Sequence, residues 1–489
     1  MKRITACLLT ALMLLSLVSC GVTQGEDEPD GTKIRLSDDG ISVNGKPISE
    51  DTDAAVYAAH DIVFYLQGQG IAYGEGDSDD AHTQEEADAH TVVHITQPGT
   101  YILSGQLSAG QIAVDLGEDA ESDPNAVVTL VLDGVDITCQ VAPAIIFYNA
   151  YECGDADNAG KDADTSAAGA NIVVADGSEN TVNGSYVAKI YESCTLSEDG
   201  SEVLDSKKLH KYDGAVYSKM SMNVSGGEME SGILNIHAEN EGLDSELHLT
   251  VNGGNINIVS GDDGINTNED GVSVTTVNGG HINILVNGRQ GEGDGIDSNG
   301  WLVINGGTVI AEACSSSGDA GIDSDMGIYI NGGTVIASGN MLDGIAGSRQ
   351  NYAVFTFSQK QNGDGQTYML KNADGETVMQ ATPTNGFSYL ILSVSELEAG
   401  DYTLWCGDKQ LSGVSGSAGG GRPMMPDQER PEMPMGEAPD GNGQEPPEKP
   451  DGAMGEMMAR PDQMPQGEIN GEASEVFSIM AGGDYFTVV

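Results

Sequence analysis

The sequence predicts an all-β protein built on a right-handed parallel β-helix, a solenoid, closed by a small C-terminal β cap. Two interleaved repeats and the composition lead to that expectation. Asn-Gly-Gly recurs at Asn252, Asn278, Asn305 and Asn331, with spacings of 26, 27 and 26 residues. Each copy is followed by a short run of β-formers, such as Asn255-Ile-Asn-Ile and Thr334-Val-Ile-Ala. The second phrase runs Glu241-Gly-Leu-Asp-Ser, Asp263-Gly-Ile-Asn-Thr, Asp294-Gly-Ile-Asp-Ser, Ala320-Gly-Ile-Asp-Ser and a degraded Asp343-Gly-Ile-Ala-Gly. Glycine fills 67 of 489 positions and aromatics only 5%, which suits many turns and an aliphatic core. Leucine-rich and propeller repeats need helix-forming stretches or blades of about 40 residues, and neither is present.

In chain order, residues 1–19 read as a lipoprotein signal peptide. Lys2 and Arg3 precede an apolar run from Ile4 to Val18, of signal-peptide length and short for a membrane span. Leu17-Val18-Ser19-Cys20 resembles the lipobox of bacterial lipoproteins, which makes Cys20 the lipidation site. Residues 20–32 form an acidic tether. Residues 33–90 are an N-terminal segment with a strand at Ile41–Gly45, a short helix around Ala54–Tyr65 and an acidic loop over 74–90. The β-helix spans 91–350 and the cap module 351–413. A Gly/Pro/Met-rich insertion over 414–471, holding ten of the 16 prolines, is expected to be disordered. Residues 472–489 return strands to the cap.

The charge narrows the partners. Twenty Lys and Arg against 76 Asp and Glu leave −56. That charge repels phosphates and anionic headgroups, so nucleic acid is excluded and membrane contact falls to the lipid anchor alone. It favours divalent cations, which relieve repulsion between carboxylates. Beyond Cys7 and Cys20, five cysteines remain without a CxxC pair, which argues against a zinc site or disulfide scaffold. The expected state is a monomer at the outer face of a bacterial membrane.

Stacked repeats place equivalent residues about 4.8 Å apart. One column then contains Asp244, Asn266, Asp297 and Asp323, and a second contains Glu241, Asp263, Asp294 and Asp343. Asp262, Glu269, Asp270 and Asp325 add oxygens at the turns. Oxygens at that spacing can share a calcium ion, so Ca2+ is the expected cofactor. The competing reading is that these Asp and Asn side chains only bond local turn amides. Asp155-Ala-Asp157 begins like an EF-hand loop but lacks the glutamate at its twelfth position and reads as a solvated loop. The histidines in strand patterns, His237, His248 and His281, read as solvent-side residues, and Trp301 as packing under a turn.

Motifs of hydrolases, nucleotide-binding enzymes and zinc proteases are missing. A polysaccharide lyase needs a Lys or Arg base. Between Met220 and Ser348 there is no lysine and only Arg289; Lys219 and Arg349 stand at the margins.

The phrases Thr100–Leu107, Val128–Thr138, Asp176–Val182 and Tyr217-Ser-Lys, with the two repeats, resemble a bacterial family of carbohydrate-binding domain-containing β-helix proteins over about residues 91–412. The resemblance implies a pectate-lyase-like fold with calcium that binds cellulose-like or polygalacturonate-like polysaccharide without catalysis. Ala320 and Ala346 depart from the two columns. Three functions stay open: a calcium-loaded polysaccharide binder, a calcium-dependent lyase, and a calcium-rigidified adhesin or spacer.

Overall fold

The computed structural model describes residues 30–154, 159–416 and 475–489. The signal peptide, Cys20, most of the tether, the start of the EF-hand-like loop and nearly all of the 414–471 insertion lie outside the described residues. Strands dominate, in large mixed sheets; the helical elements among the described residues are Gln84–Asp88 and a 3-10 turn at Glu118–Ser122.

Three parallel ladders position everything else. The first runs through Met222–Gly226, His248–Val251, Val274–Val277, Trp301–Ile304, Gly327–Ile330 and Ile345–Ser348. The second runs through Ile233–Ala238, Asn255–Ser260, His281–Val286, Thr308–Glu312 and Thr334–Gly339. The third joins Ile145–Asn149, Gly214–Ser218, Glu241–Ser245 and Ile265–Thr267, and Ile265 bridges onward to Ile296. In every ladder a residue pairs with its equivalent in the next repeat, so like side chains stack. Leu243, Ile265, Ile296 and Ile322 are fully buried, as are Ile256, Ile282, Val309 and Val335. All belong to one core, whose growth by repetition removes aliphatic surface from water at each step.

The glycines of the two phrases have separate causes. The second glycine of each Asn-Gly-Gly holds a positive φ: 98° at Gly254, 86° at Gly280, 76° at Gly307 and 82° at Gly333. Glycine tolerates that backbone without strain. Gly264 instead answers crowding. A Cβ there would stand 2.2 Å from Ile284 Cγ2 of the second ladder, so its absence lets the two ladders close. The Ser or Thr that ends the phrase is also structural. Ser245, Thr267 and Ser298 are fully buried, and the Ser245 and Ser298 hydroxyls donate to the carbonyls of His248 and Trp301 at 3.0 Å.

Antiparallel pairing appears at the ladder ends, where an open edge would otherwise template aggregation. Val56–Ala59 pairs antiparallel with Thr91–Ile95. Phe387–Ser393 pairs antiparallel with both Thr334–Gly339 and Tyr352–Gln361. Asp484–Val488 lies parallel to Tyr352–Gln361, and Phe477–Ile479 joins Gly400–Cys406. These strands enclose a second core in which Phe355 stacks on Phe486 at 5.5 Å.

The helix expected around Ala54–Tyr65 is absent, because Val56 and Tyr57 suit the sheet edge they cover. The helix forms instead at Gln84–Asp88, inside the expected acidic loop. Thr83 and Glu86 make a reciprocal capping box there. All five described cysteines are free; Cys139 and Cys314 are buried and the other three partly exposed. His237 and His281 face outward, but His248 is buried and its Nδ1 accepts the Val274 N–H at 3.1 Å. Trp301 is half-buried at the start of its strand.

Gly264→Ala should lose ~1–3 kcal/mol through overpacking, read by chemical denaturation. Gly318→Ala, where an added Cβ meets nothing within 4 Å, should leave stability unchanged.

Candidate functional site

The acidic positions of the second phrase gather on the third ladder. Asp244 pairs in register with Asn266. The backbone bonds from Gly264 to Asp294 and from Gly295 to Ala320 continue the same stacking through the later repeats. Carboxylate oxygens of Asp294, Asp297 and Asp323 all lie within 4.8 Å of one another. In the two preceding repeats, Glu241, Asp244 and Asn266 are at most 7% exposed. Each keeps a buried oxygen with no hydrogen-bond partner: Glu241 Oε2, Asp244 Oδ2 and Asn266 Oδ1. Their remaining polar atoms are used. Asn266 Nδ2 donates to Glu241 Oε1 at 3.0 Å and Asn268 Nδ2 to Asp244 Oδ1 at 2.7 Å.

Other carboxylates of the set also brace the backbone. Asp263 Oδ1 accepts the Asp294 N–H at 2.6 Å, and Asp294 Oδ1 accepts the Ala320 N–H. Backbone bonding is thus present at Asp263 and Asp294, while the partnerless oxygens belong to Glu241, Asp244 and Asn266. Asp262, half-buried, faces Glu292 and Asp319. Asp325 is exposed and acts on Asp297 through its charge. Asp343 is buried outside the three-carboxylate group, in a small hollow with Ala320, Gly339 and Tyr389. Glu269 and Asp270 are exposed.

Electrostatics records the crowding. Burial first, then neighbouring carboxylates, holds Glu241, Asp244, Asp263 and Asp294 well above the ordinary carboxylate range. Burial with Asp323 and Asp325 pushes Asp297 up to about 7, and burial with Glu292 and Asp319 pushes Asp262 up to about 6. Asp213 and Lys211 belong to the same neighbourhood. Lys211 Nζ lies 2.9 Å from Asp213 Oδ2, and Asp213, then Glu241 and Asp244, raise the Lys211 pKa. Despite that ion pair, burial leaves Asp213 raised. The Asp213-Gly214 dipeptide was the available signal, but Gly214 pairs with Glu241, which sets it one residue out of phase with the repeat.

An all-oxygen donor set suits a hard cation that takes six to eight oxygens. Glu241, Asp244 and Asn266 could hold one such ion and Asp294, Asp297 and Asp323 another. Of the two marginal bases, Lys219 pairs through Nζ with Glu121 Oε1 at 2.7 Å and Arg349 is exposed just after Ile345–Ser348, while Arg289, inside the repeat, pairs with Glu239 at 2.9 Å.

Fold and site thus define an all-β protein of stacked parallel ladders carrying a column of carboxylate and amide oxygens. The sequence profile of the carbohydrate-binding domain-containing protein family matches residues 89–353, more than half of the chain, and the chain belongs to that family. A carbohydrate-binding domain-containing protein of Acetivibrio thermocellus is 28% identical over 204 residues, 40% of this chain. The chain spans 57% of that relative's length. A solved polysaccharide lyase-like protein from C. thermocellum, a gadolinium derivative, is 22% identical over 62% of this chain and 88% of its own, with a TM-score of 0.36.

A carboxyl whose pKa is higher folded than unfolded binds its proton more tightly when folded. Its stabilisation is present below the unfolded value, about 3.9, and is lost as pH rises through the folded value, about 7 for Asp297. In chelator, the melting temperature should fall across that window. Asp297→Asn, which cannot ionise, should melt higher than the parent above pH 7 and equally at pH 4.

Proposed function

We propose that this protein is a calcium-loaded, non-catalytic polysaccharide binder, anchored through lipidated Cys20 to the outer face of a bacterial membrane. Its three ladders are the walls of a right-handed parallel β-helix, one repeat to each turn. The observation that supports the reading most directly is the row of buried, partnerless oxygens on Glu241, Asp244 and Asn266 in a member of a carbohydrate-binding family. Leaving such atoms unsatisfied costs free energy, and a divalent cation satisfies several at once. The ligands would be Asp244, Asp262, Asp263, Asp294, Asp297 and Asp323 with Glu241 and Asn266; Asp325 and Asp343 lie at the margin of the set.

Acidic, polygalacturonate-like glycan is the preferred partner, with cellulose-like glycan second. A chain at −56 takes up a polyanion only where cations offset the repulsion. The membrane anchor resides in the lipid; no helix among the described residues is long and apolar enough to cross a bilayer.

Calcium at a hundredfold its Kd should add about 2.7 kcal/mol of stability, and Asp297→Asn should reduce that gain. Migration through gels containing polygalacturonate or hydroxyethyl cellulose, with calcium or chelator, tests the binding. Retardation by polygalacturonate that chelator abolishes is the expected result. Calcium stabilisation without retardation by either glycan would make the protein a rigid spacer, and ultraviolet-absorbing unsaturated product would make it a lyase.

A further inference from the structure

On a different face from the acidic column, the first ladder carries a groove of about 560 Å3. Two side-chain columns, each in strand register, make its floor. One is Thr250, Thr276, Val303 and Tyr329, ending at Gly347. The other is the asparagine of each Asn-Gly-Gly, ending at Arg349, whose N–H bonds Ile330 O just as Asn331 N–H bonds Ile304 O. The facing wall is the segment 161–166. Thr165 pins it down: its Oγ1 lies 2.7 Å from both Thr250 Oγ1 and Asn223 Oδ1, and its carbonyl accepts Asn223 Nδ2 at 2.8 Å.

The chemistry of this groove changes along its length. Asn278, Asn305 and Asn331 each donate Nδ2–H to Oδ1 of the preceding asparagine, at 2.9, 2.9 and 2.8 Å. That bond uses one of two amide hydrogens and one of two carbonyl lone pairs. Each repeat therefore offers a spare donor and a spare acceptor, about 4.8 Å from the next pair. Stacking of the repeats accounts for the bonded half of each amide and not for the spare half.

At the far end the groove becomes aromatic and cationic. The half-buried Tyr329 ring packs over Gly347, where a Cβ would come 2.9 Å from Tyr329 Cδ1. Lys161 Nζ stands 5.5 Å from the ring centroid and is held by Asp162 at 2.7 Å. Arg349 is exposed, and its guanidinium pairs with no carboxylate among the described residues. In a chain this acidic, an uncommitted guanidinium lining the same groove as a tyrosine ring offers a fork for a carboxylate.

We propose that this groove is the glycan-binding cleft: an extended, hydroxyl-rich chain lies along the asparagine column, a sugar ring rests on Tyr329, and a uronate carboxylate meets Arg349. The assignment rests on the carbohydrate-binding reading above and places its ligand away from the calcium column. Acidic glycan is then recognised by the guanidinium directly, and calcium acts by holding the ladders.

The test uses the full chain in calcium, titrated calorimetrically with oligogalacturonate and with cello-oligosaccharide. Losing a charge-assisted contact worth ~1.5–3 kcal/mol predicts that Arg349→Gln weakens oligogalacturonate binding about tenfold or more. The same variant should leave cello-oligosaccharide affinity unchanged. Tyr329→Ala should weaken both ligands, and neither variant should alter melting temperature or the calcium-induced shift. Parent-like binding of oligogalacturonate by both variants would overturn the groove assignment and leave the carbohydrate-binding reading standing. Failure of the parent protein to bind either glycan would overturn both.

Discussion

The parallel register between successive repeats is the constraint on which the remaining structure depends. Backbone hydrogen bonds place each residue beside its equivalent at a strand spacing of about 4.8 Å, so a property present once in the repeat becomes a continuous stripe. Leucine and isoleucine become a buried aliphatic stack. Asparagine becomes a bonded amide ladder. Aspartate becomes a column of like charges, which the same geometry forces together whether or not their repulsion is relieved. Glycine at the crowded positions keeps the ladders close enough for the stacks to share one core.

The acidic column is where this geometry works against stability. Glu241 and Asp244 sit in the interior with neighbouring carboxylates, offset in part by Lys211 and by the Asn266 and Asn268 amides. Burial and mutual repulsion both favour the protonated forms. Protons relieve the column at low pH; at neutral pH the proposed divalent cation would do the same while also satisfying the partnerless oxygens. The groove on the first ladder solves a different problem with the same repetition, because neutral amides stack without repulsion and leave hydrogen-bonding capacity facing outward.

The antiparallel strands at the ends follow from the repeat as well. A stack of parallel strands has no internal reason to stop. Val56–Ala59 and Phe387–Ser393 pair with its terminal strands, and Phe355, Phe387, Phe477 and Phe486 build a separate aromatic core behind the C-terminal one. The mixed character of the sheets is thus confined to the places where repetition must be interrupted.

The repeat period, the pairing of Asp244 with Asn266 and the acidic character of the residues around the Gly-Ile-Asp phrase were all legible in the sequence. Each arises from short-range patterning multiplied by a constant spacing. Asp213 and Lys211 were not legible as part of the column, since Asp213-Gly214 is one residue out of phase with the repeat. The helix expected at 54–65 failed for a related reason: Val56–Ala59 is decided by an edge 33 to 39 residues downstream in the chain, at Thr91–Ile95. Only the tertiary structure showed that Thr165 reaches across 58 and 85 residues to Asn223 and Thr250, or that Arg349 ends the asparagine column beside Tyr329. Sequence by itself determined what repeats and therefore what stacks. Tertiary structure decided which stripes are buried, which are walled into a groove and which charges are left without a partner, because those depend on segments outside the repeat that carry no period.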